Sequence, residues 1–177
     1  MTSYKRLKIN GAVYFFTLVL NDRIGSNLLI AEFNQLKESI KKVKASYPFK
    51  LNAMVVLPDH LHMIMSLAKN DTDYSVRIRL IKTYFSKSLN KTEAISTSRK
   101  SKEERGIWQR RYWEHVIRNE TDFINHLNYI HFNPVKHGCC NRAVDWPYST
   151  FHNYVEKGLY PESWAITPLL SEVESGE

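Results

Sequence analysis

Hydrophobic residues recur along this chain at two spacings, and each spacing predicts a different kind of element. A continuous apolar run over 13–20, rich in β-branched and aromatic residues, is typical of a strand buried on both faces. Apolar positions at helical spacing, with lysines and arginines between them, predict amphipathic helices over 31–47 and 75–89. The same patterns predict strands over 49–57, 60–67 and 112–117 and helices over 119–133 and 149–157.

Turn and cap residues indicate where these elements begin and end. Pro58-Asp59 has turn chemistry and predicts a hairpin between the second and third strands. Asn119 is a candidate N-cap with Asp122 three residues later, a weaker form of the capping box. Pro134 is expected to end that helix at about Asn133. The polar, serine-rich stretch 92–106 predicts a flexible loop.

The order of the predicted elements indicates the fold class. Strand, helix, two strands, helix and strand form the ferredoxin-like βαββαβ pattern of the α+β class, with a central antiparallel sheet. An added helix over 119–133 and a tail follow this unit, and the acidic end after Pro168 is expected to be loose.

Composition and charge narrow the range of partners and compartments. The 177 residues include 43% hydrophobic and 24% charged residues, which is typical of one globular domain. A net charge of +7, with a pI of about 9.4, favours an anionic partner, nucleic acid first. No apolar run is long enough for a membrane span, and no signal peptide is expected. Cys139 and Cys140 are adjacent and unsuited to pairing, which favours a reducing, cytoplasmic setting.

The candidate chemistry is concentrated in two histidines and one helix face. His60 and His62 lie two apart on a predicted strand, so both point to the same face, as metal ligands or as hydrogen-bonded structural histidines. On the helix over 119–133, His126, Tyr129 and Asn133 cluster on one face beside the face that packs on the sheet. A tyrosine and an amide one turn apart are therefore presented together.

Three blocks in this order, 55–62, 108–115 and 129–138, resemble the REP-associated tyrosine transposases, which belong to the single-tyrosine HUH group related to IS200-type enzymes. The resemblance extends from Tyr4 to Trp164 and implies a catalytic role for Tyr129. It also implies that His60, His62 and Asn133 bind a divalent metal, Mg²⁺ or Mn²⁺. It divides the chain into an HUH domain over 1–138 and an extension over 139–177 that packs on this domain.

The resemblance also implies the reaction and the partners. A 5′-phosphotyrosine intermediate would allow cleavage and rejoining of single-stranded DNA at REP-type hairpins. The protein is expected to be a monomer rather than a homodimer. It is also expected to be cytoplasmic, in a bacterial cell, and associated with the nucleoid. The candidate DNA contacts are Arg110, Arg111, His115, Arg118 and Lys136.

Three alternatives stay open from the sequence. The first is a nucleic-acid-binding module without catalysis, since ferredoxin-like sheets often bind RNA through exposed aromatic residues. The second is a phosphodiesterase that uses two histidines as acid and base, although such enzymes usually carry their motif twice. The third is a structural zinc site, which normally has four protein ligands.

Overall fold

A computed structural model describes residues 7–93, 95–102 and 104–164. Four strands form one sheet: β1 Val13–Val19, β2 Lys50–Val56, β3 His60–Ser66 and β4 Trp113–Val116. Their order across the sheet is β2-β3-β1-β4, and every neighbouring pair is antiparallel. This order confirms the ferredoxin-like α+β prediction, and the antiparallel β2–β3 pair confirms the hairpin at Pro58-Asp59.

Helices cover both faces of this sheet. They are α1 Leu28–Ala31, α2 Phe33–Ser46, α3 Tyr74–Ser88, α4 Thr97–Lys100, α5 Glu120–Lys136 and α6 Phe151–Glu156, with a 3-10 turn over Ala143–Asp145. The first face packs on α2 and α3, where alternate residues of β3, Leu61, Met63 and Met65, enter the larger core. The opposite face, with Phe15 and Ile64, packs on α5 through Leu127 and Ile130. The side chains at 60 and 62 therefore lie on the α5 face.

Two predicted helix boundaries are wrong, and tertiary contacts explain both. The helix over 31–47 is divided at Glu32, because the preceding turn buries Leu29 and bonds its amide to the Pro58 carbonyl at 3.2 Å. Pro134 does not end α5, which continues to Lys136. Proline removes only one donor, and the His137 amide still bonds the Asn133 carbonyl at 3.0 Å while Pro134 itself is buried.

The described residues of 92–106 form a loop, as predicted, that includes one short helix. Its described residues include α4, and the Arg105 guanidinium bonds the Glu93 carboxylate and the carbonyl of Leu89, at 2.7 Å, near the end of α3. The hydrogen bond from Arg105 holds the pKa of Glu93 at about 2, even though burial alone would raise it. The predicted cap of α5 is confirmed, since the Asn119 side chain accepts a bond from the Asp122 amide at 2.9 Å.

The described part of the C-terminal extension packs on α5 and on the edge of the sheet. Phe151 and Trp164 form a small core with Phe132 of α5. Backbone bonds join Val56 to Tyr148 at 2.8 Å and Thr150 to Met54 at 2.9 Å, so 148–150 lies along β2. The predicted loose acidic end lies outside the described residues.

Candidate active site

The paired histidines lie at the start of β3, beneath α5. His60 pairs with Val19 and His62 pairs with Thr17 across the β1–β3 ladder. Both side chains are buried, and their ring centroids are 5.0 Å apart. The prediction that they share one face is therefore confirmed.

Each of these imidazoles is oriented through its Nδ1 atom. His60 Nδ1 lies 2.6 Å from a carboxylate oxygen of Asp59, and His62 Nδ1 lies 2.9 Å from the hydroxyl of Thr17. An ionised carboxylate only accepts hydrogen bonds, so Nδ1 of His60 is the protonated nitrogen and Nε2 carries the lone pair when the ring is neutral. A carboxylate bonded to the outer nitrogen of a histidine is the usual support of a metal ligand.

Asp59 is itself held in the ionised form. Burial on its own would raise the pKa of this carboxyl, but hydrogen bonds from Arg23 and His60 outweigh it and hold the pKa below its usual range. The Arg23 Nε–carboxylate distance is 2.6 Å. The turn residue that shapes the hairpin therefore also fixes the orientation of the first histidine.

Tyr129 lies against the second histidine. Its ring centroid is 5.2 Å from that of His62, at an interplanar angle of 74°, and 6.0 Å from that of Phe15. The side chain is 1% exposed. Lys136 donates a hydrogen bond of 3.3 Å to the phenol oxygen and also lies over the ring, 4.9 Å from its centroid. The sequence predicted Lys136 as a DNA contact, and that role stays a prediction beside its contact with the tyrosine.

Asn133 lies one helical turn after Tyr129 and is fully buried. Two imidazoles and an amide oxygen form a donor set that a divalent first-row metal accepts, because imidazole suits such metals and amide oxygen suits harder cations. The burial of all three side chains and the outer hydrogen bonds of both histidines fit such a site. The assignment of these residues as ligands stays a prediction.

The structure adds one residue to this group that the sequence did not assign. The ring centroid of His137 is 5.1 Å from that of His60. The helix was expected to end at about Asn133, but α5 continues for three further residues, and His137, its C-cap, lies near the histidine pair. Its spacing of four residues from Asn133 was the signal that could have identified it.

A second cluster of histidines lies beside the active-site face of α5. It consists of His115, Asp122 and His126, whose potential metal-ligand atoms all lie within 4.8 Å of one another. The His115 and His126 rings are stacked, with centroids 4.6 Å apart, and His126 also lies 4.8 Å from Phe15.

The carboxylate of this cluster, that of Asp122, already accepts several hydrogen bonds. Asp122 accepts hydrogen bonds from His115 at 2.9 Å and from both the amide and the Nε of Arg118 at 2.9 and 3.0 Å. These bonds hold the pKa of Asp122 far below its usual range although burial opposes them, and burial lowers the pKa of His126. His115 and Arg118, both predicted DNA contacts, are thus bonded to the start of α5.

The other two predicted DNA contacts lie before β4 and are exposed. Arg110 bonds Glu104 at 2.8 Å and the Ser98 hydroxyl at 3.1 Å, and Arg111 follows it on the surface. Their role in DNA binding stays a prediction. Across the described residues, no helix is both long and apolar enough to cross a membrane.

Comparisons with known proteins agree with this geometry. Residues 18–133 match the family model described as "Transposase IS200 like". The chain is 45% identical over 165 residues to the REP-associated tyrosine transposase of Escherichia coli K12, covering 93% of this chain and 92% of that protein. It is 44% identical over 169 residues to a Haemophilus influenzae protein provisionally given the same name, covering 95% and 96% of the two chains.

A solved structure of a REP-associated tyrosine transposase bound to a REP hairpin superposes with a TM-score of 0.84 at 42% identity, covering 100% of this chain and 98% of that chain. The matching residues span both histidines, Tyr129 and Asn133. The chain therefore belongs to the IS200-like transposase family, in its group of REP-associated tyrosine transposases.

Proposed function

We propose that this protein is a metal-dependent endonuclease and strand transferase that acts on single-stranded DNA at REP-type hairpins, with Tyr129 as its nucleophile. The observation that carries the proposal is the approach of the Tyr129 ring to within 5.2 Å of the His62 ring, centroid to centroid. The relatives named as REP-associated transposases, one of them bound to a REP hairpin, support the choice of substrate.

His60, His62 and Asn133 would hold the metal ion, which is Mg²⁺ or Mn²⁺. When bound, such an ion supplies Lewis acidity at a phosphate oxygen and offsets the charge that develops during phosphoryl transfer. Asp59 and Thr17 keep the imidazoles oriented through Nδ1. Nitrogen ligands are softer than Mg²⁺ prefers, so Mn²⁺ is expected to support the reaction at least as well.

Tyr129 forms the covalent bond. Its phenol oxygen attacks the phosphorus, the bond from phosphorus to the 3′-oxygen breaks, and the departing oxygen takes a proton to become a 3′-hydroxyl. The products are a 5′-phosphotyrosyl link and a free 3′-hydroxyl. Attack by a 3′-hydroxyl on that link releases Tyr129 and rejoins a strand, so one site performs both cleavage and ligation.

Lys136 has two roles in this scheme. Its ammonium group, 3.3 Å from the phenol oxygen, would stabilise negative charge on that oxygen as the proton leaves. It also covers a tyrosine that is 1% exposed, so its side chain must move before a phosphate can approach. The exposed position of Lys136 on the last turn of α5 allows that movement.

The direct test is the formation of a covalent adduct. Hairpin DNA with a single-stranded foot is labelled separately at each end, incubated with Mn²⁺, and separated under denaturing conditions. Only the 3′-labelled DNA should migrate with the protein, and Tyr129→Phe should abolish the adduct. Tyr148→Phe, which removes a hydroxyl from a half-buried tyrosine elsewhere, is the matched control.

The same assay tests the metal site. A chelator should abolish the adduct, and His62→Ala should require a much higher Mn²⁺ concentration. Asn133→Ala and His137→Ala, compared side by side, show whether Asn133 or His137 contributes to metal affinity. An adduct that persists in Tyr129→Phe, or in the chelated protein, contradicts the proposal.

A further inference from the structure

The second cluster, His115, Asp122 and His126, is separate from the candidate active site. His115 lies on β4, whereas His62 lies on β3, and β1 runs between these two strands. Strands two apart in a sheet are about 10 Å from each other. Metal ions that act together on one phosphate are only about 3.5–4 Å apart. The cluster therefore cannot share one two-metal site with the histidine pair.

The side chains of this cluster form a ligand set that Zn²⁺ commonly takes. Two imidazoles and one carboxylate leave the fourth position of a tetrahedral ion to water. Asp122 and His126 are one turn apart on α5, so they lie on the same side of the helix, and His115 approaches them from β4. Asp122 and His126 are buried, while the His115 side chain is 18% exposed. The open side of the cluster is therefore that of His115.

The distances within the cluster are close to those around a bound ion. Nε2 of His115 lies 2.9 Å from Oδ2 of Asp122, and Nδ1 of His126 lies 3.1 Å from Oδ1. Around a tetrahedral zinc ion with bonds of about 2.0–2.1 Å, the ligand atoms are about 3.3 Å apart. Small side-chain rotations would therefore bring all three residues into contact with one ion.

One oxygen of the carboxylate is available for such an ion. Oδ2 of Asp122 accepts bonds from His115 and from the amide and Nε of Arg118. Among the described residues, Oδ1 pairs with Nδ1 of His126 alone. Hydrogen bonds to one oxygen orient a carboxylate that binds a metal through the other. The Arg118 side chain is 71% exposed, so solvent screens its charge from an ion at Oδ1.

His126 carries a buried nitrogen that the fold leaves unused. Its Nδ1 lies 2.8 Å from the backbone carbonyl of Asp122, so without an ion Nδ1 carries the ring proton. Its Nε2 is buried and has no hydrogen-bond partner in the part of the chain that the structure describes. A move of the proton to Nε2 breaks no bond there and gives Nδ1 a lone pair for an ion, whose bond replaces the one to the carbonyl.

We propose that His115, Asp122 and His126 bind one Zn²⁺ ion through Nε2, Oδ1 and Nδ1, at a second metal site that joins β4 to the first turns of α5. The ion would hold the helix of Tyr129 on the sheet and take no part in phosphoryl transfer. Mg²⁺ is not expected at this site, because it prefers oxygen ligands in octahedral geometry.

The test uses isothermal titration calorimetry with Zn²⁺ on the full chain carrying His60→Ala/His62→Ala, which removes the paired histidines of the candidate active site. This background protein should bind about one equivalent of Zn²⁺, and excess Mg²⁺ should not displace it. Adding His126→Gln, or His115→Gln at the half-buried position, should weaken Zn²⁺ binding by at least about 100-fold. Thermal melting with a chelator verifies that each variant folds.

Two control variants in the same background show whether the binding belongs to the cluster. His152→Gln removes a half-buried histidine of α6, whose Nε2 bonds the Trp146 carbonyl at 3.1 Å. Cys139→Ser/Cys140→Ser removes the two free thiols. Both controls should bind Zn²⁺ as the background protein does. With Co²⁺ as the probe, background and controls should show the visible absorption of a tetrahedral site, and the cluster variants should not.

Zn²⁺ at about 100 times its Kd should also raise the melting temperature of the background protein by roughly 5–10 °C, and that of the His126→Gln variant by much less. The inference is overturned if the background protein binds no Zn²⁺, if the cluster variants bind it equally well, or if a control variant loses it. None of these measurements needs DNA, so they stand apart from the outcome of the adduct assay at Tyr129.

Discussion

His131 provides a measurable link between pH and the packing of the helix that carries Tyr129. Its ring is fully buried against the edges of Phe151, Tyr154 and Tyr160, at centroid distances of 5.4, 4.9 and 5.4 Å. Burial lowers the pKa of His131 to about 3. The unfolded chain should titrate this imidazole near its ordinary value of about 6.5.

The direction of the effect follows from where the proton binds. Below about pH 6.5 the unfolded chain takes up a proton that the folded protein excludes, so acid favours unfolding. The loss of stability grows as the pH falls and levels off only near the folded pKa of about 3. At about pH 5 this one residue should lower the free energy of unfolding by about 2 kcal/mol relative to neutral pH.

Urea unfolding at about pH 7.5 and about pH 5, in the presence of a chelator, measures this difference. His131→Gln stays neutral at both values, so its loss between them should be smaller than that of wild type by about 2 kcal/mol. Tyr154→Phe keeps the imidazole and should retain the full wild-type difference. If wild type and His131→Gln lose the same free energy between the two pH values, the reasoning is refuted.

Three other substitutions test contacts of α5 and of the extension. Asn119→Ala removes the cap of α5 and should lower the free energy of unfolding by about 1 kcal/mol in urea titrations, whereas Asn119→Asp keeps the acceptor and should cost little. Phe151→Ala empties a fully buried site and should cost about 3–5 kcal/mol, measured by thermal denaturation; a loss below about 1 kcal/mol would contradict the packing described. Lys136→Met should slow adduct formation about tenfold through Tyr129 while hairpin affinity changes by less than about twofold, and an equal loss of affinity would make Lys136 a DNA contact instead.

The sequence was sufficient for the fold and for the histidine pair. A period of two forces residues 60 and 62 onto one face wherever a strand forms, and the hairpin turn at Pro58-Asp59 determines where that strand starts. The helical spacing of Tyr129 and Asn133 is equally local. These features depend on residues that are close in the sequence, so residue spacing alone is enough to predict them.

The features that the sequence did not indicate depend on tertiary contacts. His137 lies near His60 only because packing continues α5 through Pro134 at the loss of a single donor. Asp122 of α5 accepts a hydrogen bond from His115 of β4, and no local sequence pattern predicts that pairing. A surface pocket beside α3 is lined by Arg79 and Lys102 from separate segments, so it is visible only in three dimensions.

The segment 148–150 has a consequence for how this protein can be shortened. β2 is an edge strand of the sheet, and this segment bonds its backbone through Met54 and Val56. A truncation after residue 138 would expose those amides and carbonyls to solvent and to other chains, and unpaired edge strands are common starting points for aggregation. We therefore expect fragments that lack 148–150 to self-associate more readily than the full chain, and a soluble fragment should retain this segment.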